Sequence, residues 1–196
     1  MDNLVLVGGA GGIGRALANR AHADGWKVTV MDLEKSLLKH PPANGIKSKV
    51  IDLTDPYSIV SAFSGFSEIS GFVNLAGYMQ GLHSIEKTQS NDFDNVINLN
   101  LKGAFLVAKE VLPFMRENGG SVVNVVSGLA SNVRPNYGAY AISKAGLINL
   151  TKTLALEEAP KIRVNAVGPS AVDTAFLRGG TGRSDENEPL SLDIDN

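Results

Sequence analysis

Short, nearly unbroken apolar runs alternate along the chain with stretches in which apolar residues recur every three or four positions. The runs at 4–8 (LVLVG), 27–32 (KVTVMD), 48–53 (SKVIDL), 71–77 (GFVNLAG), 121–127 (SVVNVVS) and 162–168 (IRVNAVG) are predicted as strands. A first helix is predicted after Gly12, with Ile13, Ala16, Leu17 and Ala21 on one face, and a short second one over 33–39. Asp55 followed by Pro56 marks the cap and first turn of a helix to 63. A long helical pattern covers 92–116, with a break near Asn98 left open, and another covers 137–159. The loop 40–45 (HPPANG) is dense in breakers. Strands separated by helices predict right-handed crossovers, hence an α/β fold: a doubly wound parallel sheet with helices on both faces.

Composition narrows the field only slightly. The chain has 196 residues, 43% of them hydrophobic, enough for one domain with a sizeable core. A net charge of -2 gives no sign of a nucleic-acid or anionic-membrane partner. Cysteine is absent, which removes disulfides and thiolate metal sites and suits a cytoplasmic setting. His22, His40 and His83 have no ligand spacing, so no metal site is expected. The N-terminus shows no leader pattern and no run long enough for a membrane span.

The first candidate for chemistry is GGAGGIG at 8–14, between the first strand and first helix. A glycine loop in that position can bring backbone N–H groups and a helix N-terminus close to a pyrophosphate. Its spacing fits three registers: Gly9, Gly11 and Gly14; Gly8, Gly11 and Gly14; or Gly8, Gly12 and Gly14. Asp32 ends the second strand, where a carboxylate can accept from both hydroxyls of an adenosine ribose and repel a 2′-phosphate. Capping the following helix is its other reading. The nearest base in the sequence is Lys35, with no arginine beside it, which favours NAD over NADP.

The second candidate is YAISK, which places Tyr140 and Lys144 four apart on one helix face. An unperturbed tyrosine has a pKa near ~10. A cation about 4 Å away, at an effective dielectric of 20, would favour phenolate by on the order of 4 kcal/mol. That would bring Tyr140 towards neutral pH, where acid–base work is most effective. Ser127 stands at the carboxyl end of the fifth strand, the edge at which open parallel sheets bind ligands. Alone, Ser127 reads equally as a strand-end residue, Asn100 as a helix cap and Asp52 as a turn former.

Taken together, residues 3–177 resemble the short-chain dehydrogenase/reductase family in its shorter, single-domain type. The resemblance is carried by Gly8, Gly12 and Gly14 as GxxxGxG, by DLTD (52–55), NLAG (74–77), NLKG (100–103), Ser127, YAISK (140–144) and IRVNAVGP (162–169). It selects that glycine register and implies a Rossmann-type fold. It implies Tyr140 as general acid/base, Ser127 as the group that fixes the substrate oxygen, and Lys144 as the residue that lowers the tyrosine pKa and holds the nicotinamide ribose. Asn100 would hold a relay water. Cofactor contacts are implied for Gly8, Gly12, Ile13, Gly14, Asp32, Asp52, Leu53, Asn74, Ala76, Gly77, Pro169, Val172 and Thr174, besides Tyr140 and Lys144. Val7, Leu75 and Ser170 depart from the family's usual threonine, asparagine and glycine.

The implied function is NAD-dependent hydride transfer between nicotinamide and a secondary alcohol or ketone. A nucleotide-binding module without turnover is the alternative, and an epimerase or dehydratase of the extended type fits less well. Tyr78, Met79, Leu129, Tyr137 and Phe176 are candidate substrate contacts. Residues 1–183 are expected to form the catalytic domain. The acidic stretch 184–196 is expected to be a flexible part of a substrate-covering segment, with the C-terminal strand of the sheet missing. Apolar residues around much of the girth of 101–115 and 137–159 predict that these helices pair across a two-fold axis in a homodimer or homotetramer.

Overall fold

The computed structural model describes residues 2–79 and 81–178. Six parallel strands form one sheet in the order β3-β2-β1-β4-β5-β6: β1 (Asn3–Val7), β2 (Lys27–Asp32), β3 (Lys47–Val50), β4 (Gly71–Asn74), β5 (Gly120–Val125) and β6 (Ile162–Val167). The helices are α1 (Gly12–Ala23), α2 (Glu34–Lys39), α3 (Pro56–Phe63), α4 (Ser90–Ile97), α5 (Ala104–Val111) and α6 (Gly138–Glu157). Asp55 caps α3 as its sequence predicts, its carboxylate accepting from the Tyr57 N–H at 2.9 Å.

The two faces of β1 show why this sequence makes a two-sided sheet. Leu4 and Leu6 point to one side and pack with Val28, Val30, Ala18 and Ala21 beneath α1. Val5 and Val7 point to the other, into a larger core with Phe63, Phe72, Val107, Val111, Val122 and Leu154. Alternate positions of one strand thus serve two cores, which is how a strand in a covered parallel sheet reads as a continuous apolar run. Cover is uneven. Along β6, Ile162 and Val164 are buried, whereas Arg163, Asn165 and Val167 are exposed, and β6 is the outermost strand among the described residues. The stretch 184–196 lies outside the described residues.

Two predicted elements differ in detail. The run 71–77 leaves the sheet after Asn74, because the Asn74 side chain accepts from the Ala76 N–H at 3.2 Å and turns the chain. The long pattern at 92–116 is neither one regular helix nor two separate ones. α4 continues through a π-helical stretch, Asn98–Gly103, into α5, and a 3₁₀ turn, Leu112–Phe114, follows. The wider turn seats Gly103 against Leu53, where an added Cβ would lie 2.9 Å from both the Leu53 Cβ and its carbonyl oxygen.

Strand order reverses direction between β1 and β4, so the crevice outside their carboxyl ends is the topological switch point of the sheet.

Candidate active site

A cavity of about 1070 Å³ opens at this crevice and runs from the glycine loop to α6. At its centre the backbone of the loop is locked in place. Gly8 has φ +78°, and a Cβ there would lie 2.6 Å from the Ala76 nitrogen. A Cβ on Gly14 would lie 2.6 Å from the Gly9 Cα, while one on Gly12 would meet the Thr174 side chain, its methyl at 2.5 Å and its Cβ at 2.9 Å. Gly11, which both other registers require, meets nothing closer than the Gly8 oxygen at 3.3 Å. Gly8, Gly9, Gly12 and Gly14 are thus all confined, Gly9 by Val30 and the Leu6 carbonyl, and Gly11 is the least crowded of the loop.

Gly11 caps α1 without a side-chain hydrogen bond, and the first turn carries no acid. The orphan N–H groups of that turn therefore face the cavity with the positive end of the helix behind them, a setting that fits a pyrophosphate.

One end of the cavity surrounds Asp32. Its Oδ2 accepts from the Ala10 N–H at 3.0 Å and its Oδ1 from the Leu33 N–H at 2.8 Å, tying the glycine loop to the start of α2. Burial raises its pKa, opposed by those bonds, by a hydrogen bond from Ser36 and by His40. Asp32 thus serves the local backbone and Ser36 and still keeps about one unused lone-pair site. The sequence predicts no arginine here, and the fold corrects that. Arg15, in the first turn of α1, lines this end with Lys35, Lys39 and His40, its Nη1 lying 3.3 Å from the His40 Nδ1. An arginine that directly follows Gly14 was the available signal, separated from Asp32 by 17 positions of sequence.

The other end holds the predicted chemical residues. Ser127, Tyr140 and Lys144 all line the cavity, as do Ile13, Leu53, Ala76, Gly77, Pro169, Val172 and Thr174. Tyr78, Met79, Leu129, Tyr137 and Phe176 line it too, joined by Asn132 and Arg134 from the loop before α6, which sequence reasoning passed over. The Ser127 hydroxyl hydrogen-bonds the Tyr140 phenol and accepts from the Leu129 N–H at 3.2 Å. Phe176 tilts against the Tyr140 ring at a centroid distance of 6.1 Å.

The electrostatics run against the expectation from spacing. Tyr140 is raised above its ordinary pKa, chiefly by burial, with the Ser127 hydrogen bond opposing. Lys144 is pushed down to about 8 by burial. Its ammonium lies 5.8 Å from the centroid of the Tyr140 ring and donates to the Val125 and Ala76 carbonyl oxygens, at 3.0 and 3.5 Å. The cation serves those carbonyls, and desolvation dominates both groups.

Three predicted residues stand back from the cavity wall. Asn74 is buried and fixes the exit of β4. The Asp52 carboxylate accepts from the N–H and hydroxyl of Thr54, at 2.8 and 2.7 Å, so it forms a turn. Asn100 is buried in the π-helical stretch. Its Oδ1 accepts from the Tyr78 N–H at 2.8 Å, and its Nδ2 donates to the Tyr78 carbonyl and the Ser143 hydroxyl, both at 2.9 Å. Among the described residues no cluster of ligand-type side chains fits a metal ion, and no helix is long and apolar enough to cross a membrane.

Comparison with known proteins bears on the whole of this arrangement. Levodione reductase of Leifsonia aquatica is 32% identical over 203 residues, which cover 96% of this chain and 76% of that protein. The 3-ketoacyl-(acyl-carrier-protein) reductase of Brucella melitensis, solved with NADH, superposes with a TM-score of 0.81 at 27% identity, covering 90% of this chain and 78% of that one. An actinorhodin polyketide ketoreductase solved with NADPH gives 0.82 at 26% identity, covering 90% and 74%. A family model described as short chain dehydrogenase matches residues 2–182. Sequence, sheet order and family model agree along nearly the whole chain: this protein belongs to the short-chain dehydrogenase family.

Proposed function

We propose that the chain is an NAD-dependent oxidoreductase of secondary alcohols or ketones. The observation that carries this reading is that Ser127, Tyr140 and Lys144 share one cavity with the glycine loop, at the switch point of the sheet. When bound, the nicotinamide would supply or take the hydride. The protein's own share is alignment and proton management. The Ser127 and Tyr140 hydroxyls, hydrogen-bonded to each other, would both reach a substrate oxygen. Tyr140, kept protonated by burial, donates to the alkoxide that forms in ketone reduction. Lys144 would hold the nicotinamide ribose. A relay water held by Asn100 would sit on the backbone carbonyl, because both amide hydrogens of the side chain are spent.

Asp32 carries the choice of NAD. Its remaining lone-pair site suits a ribose hydroxyl and its charge opposes a 2′-phosphate, while Arg15, Lys35 and Lys39 stand ready to favour that phosphate once the carboxylate is gone. Asp32→Ser is therefore expected to weaken NADH binding about 10-fold and to tighten NADPH binding roughly 10- to 100-fold, the ratio expected for one or two charge-assisted contacts. Fluorescence titration of both reduced cofactors checks this. Equal affinity of the unaltered protein for NADH and NADPH would sink the NAD assignment.

We also assign the protein to the cytoplasm as a homo-oligomer paired through α5 and α6. Phe105 and Ile142 support the pairing, since they stand 55% and 51% exposed on those helices. Sedimentation of the protein as a dimer or tetramer is expected, and a strict monomer at micromolar concentration would rule the pairing out.

A further inference from the structure

Ser143 is fully buried one position before Lys144, and the reaction as described gives it no task. An alanine would fill the same space without burying a hydroxyl, so the hydroxyl calls for an explanation. Its Oγ donates to the Tyr140 carbonyl at 2.7 Å and accepts from the Asn100 Nδ2 at 2.9 Å. These directions are forced. An amide nitrogen can only donate, so the serine proton has to go to the Tyr140 oxygen.

The orientation of the Asn100 amide is equally forced. Turned over, it would set a donor against the Tyr78 N–H and an acceptor against the Tyr78 carbonyl. One side chain thus captures both backbone groups of Tyr78, as a neighbouring strand would. The segment needs such a partner. β4 ends at Asn74, and residues 75–79 run on along the cavity wall outside the sheet. Behind them the chain is held by the Leu75 N–H on the Val7 carbonyl at 2.8 Å and by the Asn74 turn.

We propose that Ser143, acting through Asn100, is a positioning residue that sets the distance between the catalytic turn of α6 and the cavity wall 75–79. The proposal rests on the functional reading above for its effect on cofactor binding, and on geometry alone for the clamp. Ala76 and Gly77 are in that wall, and a Cβ on Gly77 would lie 3.5 Å from the Lys144 Nζ. A shift of a few tenths of an ångström there therefore reaches the site directly.

Two measurements on Ser143→Ala test it: native-state hydrogen exchange at the Tyr78 amide, and NADH affinity by titration. Exchange is expected to accelerate at least 10-fold and the NADH dissociation constant to rise about 10-fold, the effect of one buried hydrogen bond withdrawn. Thr151→Ala is the control. Thr151 lies two turns further along α6, buried, donating to the Leu147 carbonyl at 2.7 Å and accepting from the Asn124 Nδ2 at 3.0 Å. It is expected to lower the melting temperature comparably while leaving Tyr78 exchange and NADH affinity within twofold. The clamp is overturned if Ser143→Ala leaves Tyr78 exchange within twofold, or if Thr151→Ala accelerates it as much. Should the unaltered protein bind neither NADH nor NADPH, the oxidoreductase reading fails, and the Tyr78 exchange rate still decides the clamp by itself.

Discussion

Replacing Lys144 with methionine is expected to raise the melting temperature of the cofactor-free protein while removing its turnover. The lysine is fully buried and its pKa falls from 10.5 to about 8, with backbone carbonyls as its hydrogen-bond partners. At 1.36 kcal/mol for each pH unit, that gap corresponds to roughly 3 kcal/mol of destabilisation at neutral pH. Methionine fills similar space without charge, and the two carbonyls lose donors at a cost of about 1 kcal/mol. The net gain is about 2 kcal/mol, several degrees in a protein of this size. The pH dependence supplies a second signature. Because the folded pKa is depressed, the penalty is complete below about 8 and is relieved as pH rises towards 10.5, where the unfolded chain also loses its proton. The advantage of the variant should therefore shrink between pH 8 and 10.5. Melting curves at several pH values check both points, and a variant that melts well below the unaltered protein at pH 7 would show that the ammonium stabilises the fold. Together with lost activity, the expected result would mark Lys144 as a residue kept at a cost to stability.

Removing the Tyr140 hydroxyl, as Tyr140→Phe, is expected to lower kcat by about 10²- to 10⁴-fold, the range of a single general acid/base. NADH affinity should change little, since the ring and its contact with Phe176 remain. The sign of the pKa shift adds a directional test. Burial holds the phenol protonated at neutral pH, so it is ready as an acid for reduction and has to be deprotonated to act as a base in oxidation. Reduction should accordingly stay flat across neutral pH and oxidation should rise into the alkaline range. Steady-state rates in both directions from pH 6 to 10 measure this, and a variant retaining a tenth of normal kcat would remove Tyr140 from the chemistry.

Much of the fold can be read from local pattern, because each strand of a covered parallel sheet is apolar on both faces and each glycine or Asx turn marks an exit. Leu4 to Val7 and the Asp55–Pro56 start of α3 are read in this way. Strand ends are less legible: residues 75–77 look like strand by composition, and only the Asn74 side chain on the Ala76 N–H takes them out of the sheet. Spacing likewise brings Tyr140 and Lys144 to one helix face, yet it carries no information on burial. Burial pushes Tyr140 up and Lys144 down, the reverse of the expectation for the tyrosine. The partners of Asn100 lie 22 and 43 positions away and are invisible to any periodicity. Arg15 reaches the Asp32 end of the cavity because α1 and β2 are neighbours in space, a fact of topology.

The strand order has a kinetic consequence. Pairing β1 with β2 closes a loop of about 24 residues, as in Asn3 against Lys27, whereas pairing β1 with β4 joins Leu4 to Gly71 across about 67. The longer closure costs roughly 1 kcal/mol more in chain entropy, and every pairing in the sheet is non-local, which places the molecule among slow folders. The β1–β4 pairing is the one that joins the β1–β3 half to the β4–β6 half. The crevice that would hold the dinucleotide lies on the seam between them, so a ligand bound across it would fasten the two halves together.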